Sequence, residues 1–309
     1  MSSTTQHSAG YRIKTVANLT GLSTHVIRKW EERYLLLTPL REPNGYRRYD
    51  EDDIQLLLYL QWRISKGQTI GELAYMGRAQ LRQTMNAGPI DCPTLPPEFQ
   101  PSALTIILAA RRVDQATIES AVHTIVNQLG LLDALYRILF PTLRAIGELW
   151  HQGQLNMTSE HLVTQTIRHH VANALRKNSH THNPTAVIAC APHNFHEIGA
   201  MTTAVLLQNN GWNSVYLGVN TDIDLVRLAC ERRQGKLIIL STLLEQSEKD
   251  MRQLILHIKK KLLPLCPVIL GGRGAMPFRA LLEEHGIMFV EHVHQLQSLR
   301  PFHSPHPLT

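Results

Sequence analysis

TAVIACAPHNFHEIG, residues 185–199, is the stretch on which the fold turns. Seven small or apolar residues run without alternation and then give way to a proline, a polar cluster and the start of a helix. A run that is apolar on both faces is how a buried strand of a parallel sheet reads. Similar runs recur as NSVYLG (213–218), KLIILS (236–241), PVILGG (267–272) and IMFVEH (287–292), separated by amphipathic helical segments. That alternation predicts a doubly wound parallel α/β sheet over residues 183–309. Ligands of such sheets collect at the carboxyl ends of the strands. Three short motifs fall there: Asn194 and His196 with Gly199, then Ser241-Thr242-Leu243, then Gly271-Gly272. One imidazole, a hydroxyl pair and a Gly-Gly step around one crevice suit a metal cofactor with a long tail.

Competing chemistries find less support. There is no GxGxxG after the first strand and no GxxxxGK[ST], so a phosphate cradle is not indicated. His196-Glu197 begins like a zinc-protease helix, but Ala200 stands where the second histidine is needed. The four cysteines, Cys92, Cys190, Cys230 and Cys266, form no CxxC pair and read as reduced, mostly buried thiols. A lone histidine at a helix start is ordinarily a satisfied polar residue; its company with Ser241, Gly271 and Gly272 favours a ligand.

Working back along the chain, residues 103–182 carry apolar positions at helical spacing, such as Leu131, Leu135, Ile138 and Leu139, and predict a small helical bundle. Two pairs stand out in it, Trp150-His151 and Glu160-His161. A bundle capping the sheet would bring all four side chains over one face of the cofactor. The segment 86–102 holds five prolines and reads as a linker.

Residues 1–85 predict an all-α winged helix-turn-helix. Two helices flank the short turn Thr20-Gly21-Leu22; Ser23 caps the second, Asp50 opens a third, and Thr69 with Glu72 opens a fourth. A turn this short sets the second helix at a steep angle, as needed to enter a major groove. His25, Arg28 and Lys29 are expected on its outer face, with Val26, Ile27 and Trp30 inward. The Asn44-Gly45 turn predicts a hairpin wing whose Tyr46, Arg47 and Arg48, with Arg41, meet DNA phosphates. The formal charge of +6 fits an anionic partner without proving one. No apolar run reaches the roughly 20 residues of a membrane span, and the N-terminus lacks the features of a secretory signal, so a cytoplasmic protein is expected.

The N-terminal segment resembles the MerR family through IRKWEERY (27–34), Pro39, Arg41 and NGYRRYDEDDI (44–54). That resemblance implies double-stranded operator DNA as partner, and a homo-oligomer. The C-terminal motifs resemble the cobalamin-binding fold of methionine synthase and its relatives, with signature [DE]-x-H-x-x-G, S-x-L and G-G. By that resemblance His196 is the lower cobalt ligand, while Ser241, Leu243, Gly271 and Gly272 hold the tail. Asn194 replaces the usual acid; its amide oxygen is expected to accept a bond from the imidazole without adding charge. Trp150, Glu160 and His161 match the W-x9-E-H pattern of CarH/CarA/LitR-type photoreceptors, which implies that they cover an adenosyl group and that His151 becomes an upper ligand after light. The combination implies a non-enzymatic repressor, dimeric or tetrameric, controlled by adenosylcobalamin and light. The alternatives are a light-insensitive MerR-type regulator, with another corrinoid or none, and a corrinoid carrier module of an enzyme.

Overall fold

The computed structural model describes residues 10–87, 97–177, 183–244 and 246–301. Two compact units part at Thr166.

The first unit opens with α1 (Ile13–Thr20) and α2 (Thr24–Tyr34). Gly21 at φ +70° ends α1, donating its N–H to the Ala17 carbonyl, and the Ser23 hydroxyl accepts the Val26 N–H to start α2. The wing is the antiparallel pair β1 (Leu40–Arg41) and β2 (Arg47–Arg48). Asp50 and Asp53 cap each other's backbone at the start of α3 (Glu51–Ser65), and Thr69 and Glu72 do the same for α4 (Ile70–Ala87). Gly77, at φ 76°, interrupts α4 midway. Ile27 and Trp30 of α2 meet Tyr49, Leu57, Leu60 and Leu81 in a closed core. Beside it the buried carboxylate of Asp53 takes a 2.7 Å bond from Arg78, which also donates to the Leu36 carbonyl.

The bundle of the same unit comprises α5 (Gln100–Arg111), α6 (Gln115–Leu129), α7 (Leu131–Ala134), a π turn at Leu135–Leu139, α8 (Phe140–His151) and α9 (Met157–Lys177). The linker expected over 86–102 gives way earlier than the prolines indicate. Pro101 lies in the first turn of α5, where its missing N–H is no loss, so the helix begins at Gln100. Residues 88–96, Cys92 among them, lie outside the described residues. The corner between α8 and α9 seats on α3. A Cβ on Gly153 would stand 2.3 Å from the Gln55 carbonyl oxygen and 2.7 Å from the Tyr59 nitrogen, and Trp150 packs against the core of the winged head.

The second unit receives the last part of α9 and then builds the sheet. Strands β3 (Thr185–Cys190), β4 (Asn213–Tyr216), β5 (Leu237–Ser241), β6 (Val268–Gly271) and β7 (Met288–Val290) are all parallel, in the order β4-β3-β5-β6-β7. Between them run α10 (Ile198–Asn209), α11 (Ile223–Arg233), α12 (Glu248–Lys261) and α13 (Arg279–Glu284). Alternate strand residues Val187, Ile238 and Leu270 point to one face and meet Val226, Ile255 and Leu282 of the helices, each burial contributing about 1.5–3 kcal/mol. The central strands β3, β5 and β6 are apolar through their middles because helices cover both faces, whereas the edge strand β4 carries Asn213, Ser214 and Tyr216 and is only partly buried. Cys190, Cys230 and Cys266 are buried free thiols, as expected.

Arg78→Ala would strand the Asp53 carboxylate in the core of the head. Because a fifth of the Arg78 side chain is exposed, the expected loss in chemical denaturation falls at or just below the low end of the range for a buried pair, about 2–3 kcal/mol. A loss below about 0.5 kcal/mol would show that the pair does not hold α4 to α3.

Candidate functional site

Strand pairing sets Cys190, Ser241 and Gly271 side by side at the carboxyl edge of the sheet, so the segments that follow them line one crevice. The sequence motifs of β3, β5 and β6 are thereby brought together. After β3 the chain turns through His193, which holds φ +63° and donates its N–H to the Asn220 side chain at 2.8 Å. His196 follows, exposed, with no hydrogen bond to its ring among the described residues. A Cβ on Gly199 would meet open space.

Asn194 does something different from what its motif position predicts. It is buried, its Oδ1 accepts the Leu243 N–H at 3.1 Å, and its Nδ2 donates to the Pro192 carbonyl. Its own carbonyl accepts the Asn220 N–H. Instead of reaching the His196 imidazole, the side chain ties the segments after β3 and β5 together. The amide suits that task because it can donate and accept at once, which a carboxylate cannot.

Across the crevice, Gly272 holds φ +104°, and a Cβ there would stand 2.3 Å from the Thr242 carbonyl oxygen. A Cβ on Gly274 would stand 2.1 Å from the Leu244 carbonyl oxygen. These glycines let the segments after β5 and β6 close on each other. The Thr242 hydroxyl is buried there without a hydrogen-bond partner. Phe195, Val219, Leu243, Leu244 and Met276, which follow four different strands, leave large apolar side chains exposed at this edge. Single exposed apolar residues are ordinary, but five at one strand edge form a surface suited to a broad apolar ligand. The residues therefore fit a cobalamin: a free imidazole, an apolar collar, a glycine cradle and an unsatisfied hydroxyl.

The sequence reading missed a polar chain beside His196. Glu197 accepts a 2.7 Å bond from the Tyr216 hydroxyl and a bond from Arg168 of α9. Burial, then the bond to Glu197, pushes the Tyr216 hydroxyl far above its ordinary range, so it stays a donor. Burial likewise pushes the Cys190 thiol up to about 11, which leaves it a poor metal ligand at neutral pH. Gly274 could have been noticed from its Gly-Gly-x-Gly spacing. Arg168, Glu197 and Tyr216 are too far apart in sequence for any local pattern to join them.

In the bundle, Trp150 and His151 sit in the last turn of α8 with ring centroids 4.6 Å apart, and Glu160 and His161 lie in the first turns of α9. Glu160 bonds the His161 Nδ1 at 2.7 Å and accepts from Thr164. His151 and His161 are exposed.

On the winged head, His25, Arg28, Lys29, Arg41 and Tyr46 are exposed. Arg47 and Arg48 are placed otherwise than expected of free phosphate contacts. Arg47 Nε lies 2.8 and 2.9 Å from the two Glu31 oxygens, and Arg48 bonds Glu42 and the Gly10 carbonyl. Tyr49 donates to the same Glu31 carboxylate. These bonds pin the wing to α2 and half-neutralise its charge.

Residues 11–78 match the family described as MerR HTH family regulatory protein, and residues 105–174 and 184–295 each match a B12 binding domain. The chain thus joins a segment similar to MerR-type helix-turn-helix regulators to two segments similar to B12 binding domains, which supports a cobalamin-dependent DNA-binding regulator. It is similar to two repressors of Myxococcus xanthus. It is 29% identical over 276 residues to the HTH-type transcriptional repressor CarH, covering 88% of this chain and 92% of that protein. It is 25% identical over 298 residues to the HTH-type transcriptional repressor CarA, covering 93% and 95%. Among solved structures it shares its fold with the monomethylamine corrinoid protein of Methanosarcina barkeri, at a TM-score of 0.51 and 18% identity, over 65% of this chain and 95% of that one. Among the described residues no helix is long and apolar enough to cross a membrane.

Asn194→Ala is expected to cost the cofactor-free protein on the order of 1–3 kcal/mol in chemical denaturation, because it removes the buried amide that joins the Leu243 N–H to the Pro192 carbonyl. Asn194→Asp keeps an acceptor but sets an oxygen against the Pro192 carbonyl and buries a charge, so it should cost at least as much. A loss below about 0.5 kcal/mol for Asn194→Ala would contradict the tie. On the head, Arg28→Gln or Arg41→Gln should lower the slope of log affinity against log salt by about 0.9 for each phosphate no longer neutralised. Arg47→Ala should instead lower the melting temperature, a difference that thermal scans and binding at several salt concentrations will resolve.

Proposed function

We propose that the protein is a cytoplasmic transcriptional repressor that binds double-stranded operator DNA as a homo-oligomer, and that adenosylcobalamin and light set its DNA binding. The observation that carries this reading is the crevice at the carboxyl edge of the sheet, with His196 free at its mouth, in one chain with a winged reading head. Similarity to CarH and CarA over nearly the whole chain supports the repressor role. Adenosylcobalamin supplies a cobalt–carbon bond that light breaks. His196 is assigned as lower cobalt ligand, and Ser241, Leu243, Gly271 and Gly272, with the Thr242 hydroxyl, as the residues that hold the tail.

Trp150, His151, Glu160 and His161 are assigned to the upper face on their W-x9-E-H spacing, with His151 as the ligand exposed for use after illumination. Trp150 packs on the winged head, so the segment that would meet the adenosyl group already touches the DNA-binding part. A ligand shifts an equilibrium only through unequal affinity for its two states, and a cobalt position open solely after light provides that inequality.

A light-insensitive corrinoid-binding regulator is the second reading. It is favoured by Asn194, whose amide is committed to Leu243 and Pro192 and lends the imidazole no charge. A corrinoid carrier module of an enzyme would leave the winged head without a role.

The test loads full-length protein with adenosylcobalamin in darkness and follows its absorption spectrum, size-exclusion profile and operator binding before and after green light. The proposed function predicts a change in all three, and His151→Ala should assemble in darkness yet form no stable illuminated product. A wild-type protein that keeps one oligomeric state and one operator affinity with the cofactor bound throughout would leave the light-insensitive reading. His196→Ala should lose most cofactor affinity, and unchanged binding would remove His196 as ligand.

A further inference from the structure

We infer that α9 is a coupling strut: Glu51 of the winged head holds its first turn, and Arg168 holds its middle to the segment that carries His196. The inference rests on the proposed cobalamin response and names the residues that carry it to the DNA-binding head.

Helix α9 runs 21 residues without proline or glycine, about 31 Å of continuous helix. It begins in the first unit and ends in the second. Near its start Asn156 already serves as a cap, accepting the Ser159 N–H at 2.6 Å. That cap meets one orphan donor of the helix, and the Thr158 N–H finds its acceptor on another helix. The Glu51 carboxylate, from the first residue of α3, takes the Thr158 N–H and the Thr158 hydroxyl, each at 3.1 Å. It satisfies one of the orphan donors of α9 and places a negative charge at the positive end of the helix. The contact is reinforced by the α8–α9 corner, where Gly153 fits against Gln55 and Tyr59 with no room for a Cβ. Helix α3 in turn follows the wing directly, since Tyr49 and Asp50 join β2 to it.

Three turns into α9, Arg168 donates to Glu197, the neighbour of His196, and Tyr216 of β4 holds the other oxygen of the same carboxylate. A movement of the His196 segment thus has a charged connection to α9, and α9 has a charged connection to α3. Glu51 and Arg168 are positioning residues in this scheme; neither is asked to touch cobalt.

The experiment uses the full chain as wild type, Glu51→Ala, Arg168→Ala and the double variant, with Glu51→Gln and Arg168→Lys as conservative versions in case either alanine variant fails to fold. Operator affinity is measured cofactor-free and with adenosylcobalamin in darkness, and the ratio is the coupling. Each alanine variant should reduce a coupling of about tenfold or more toward unity while leaving adenosylcobalamin affinity within about twofold, and the double variant should lose no more than either single one. Hydrogen exchange of the cofactor-free protein gives an independent readout. Glu51→Ala should speed exchange in residues 193–199 as well as in the first turn of α9, and Arg168→Ala should speed exchange in that first turn. Variants that retain the wild-type ratio, or whose exchange changes stay confined to the residues next to the substitution, overturn the strut. A wild-type ratio of one would instead reject the proposed cobalamin response, and the exchange pattern would still decide whether α9 connects the two segments.

Discussion

The crevice depends on one buried carboxamide. Asn194 joins three segments that leave the sheet from different strands: its Oδ1 binds Leu243 after β5, its carbonyl binds Asn220 after β4, and its Nδ2 closes the turn after β3 on Pro192. Those bonds set the base from which His196 projects. A side chain that both donates and accepts can do this in the sheet's low-dielectric edge, where an unmet group costs about 1–3 kcal/mol. The glycines of the opposite wall complete the constraint, since Gly272 and Gly274 bring the segment after β6 against Thr242 and Leu244. An imidazole free at the mouth of so tightly tied a crevice has a fixed base and a free ring, which is what a metal ligand needs.

Much of this was legible in the residues. The runs TAVIACA and KLIIL announce parallel strands because burial on both faces removes the polar alternation, and Cys190, Ser241 and Gly271 do share one edge. The helix starts at Ser23, Asp50 and Thr69 were legible for the same kind of reason: a short polar side chain before an apolar stripe satisfies an orphan N–H locally. What escaped was long-range. The part played by Asn194 depends on a backbone N–H 49 residues away, and Glu197 on a tyrosine and an arginine 19 and 29 residues away. Pro101 misleads because composition cannot distinguish a proline that breaks a helix from one that opens it.

The winged head shows the same limit in its charges. Six basic residues crowd into positions 28–48, yet they are not equivalent. Glu31 and Glu42 take up Arg47 and Arg48 and make the wing part of the fold, while Arg28, Lys29 and Arg41 remain exposed toward a partner. Charge counted along a sequence measures attraction to DNA only after such internal pairs are removed. The same holds for Trp150, whose motif points to the cofactor and whose packing lies against the head; one side chain can serve both if the head and the cofactor respond to each other.

The claim that His196 holds the cobalt is tested most directly by electron paramagnetic resonance of full-length protein loaded with reduced, cobalt(II) cobalamin, prepared with and without 15N-labelled histidine. If a protein imidazole is the axial ligand, the nitrogen splitting of the cobalt lines changes from triplets to doublets on labelling, and His196→Ala abolishes that change. Triplets that persist in the labelled protein would show that the cofactor keeps its own base, and would contradict the assignment of the crevice.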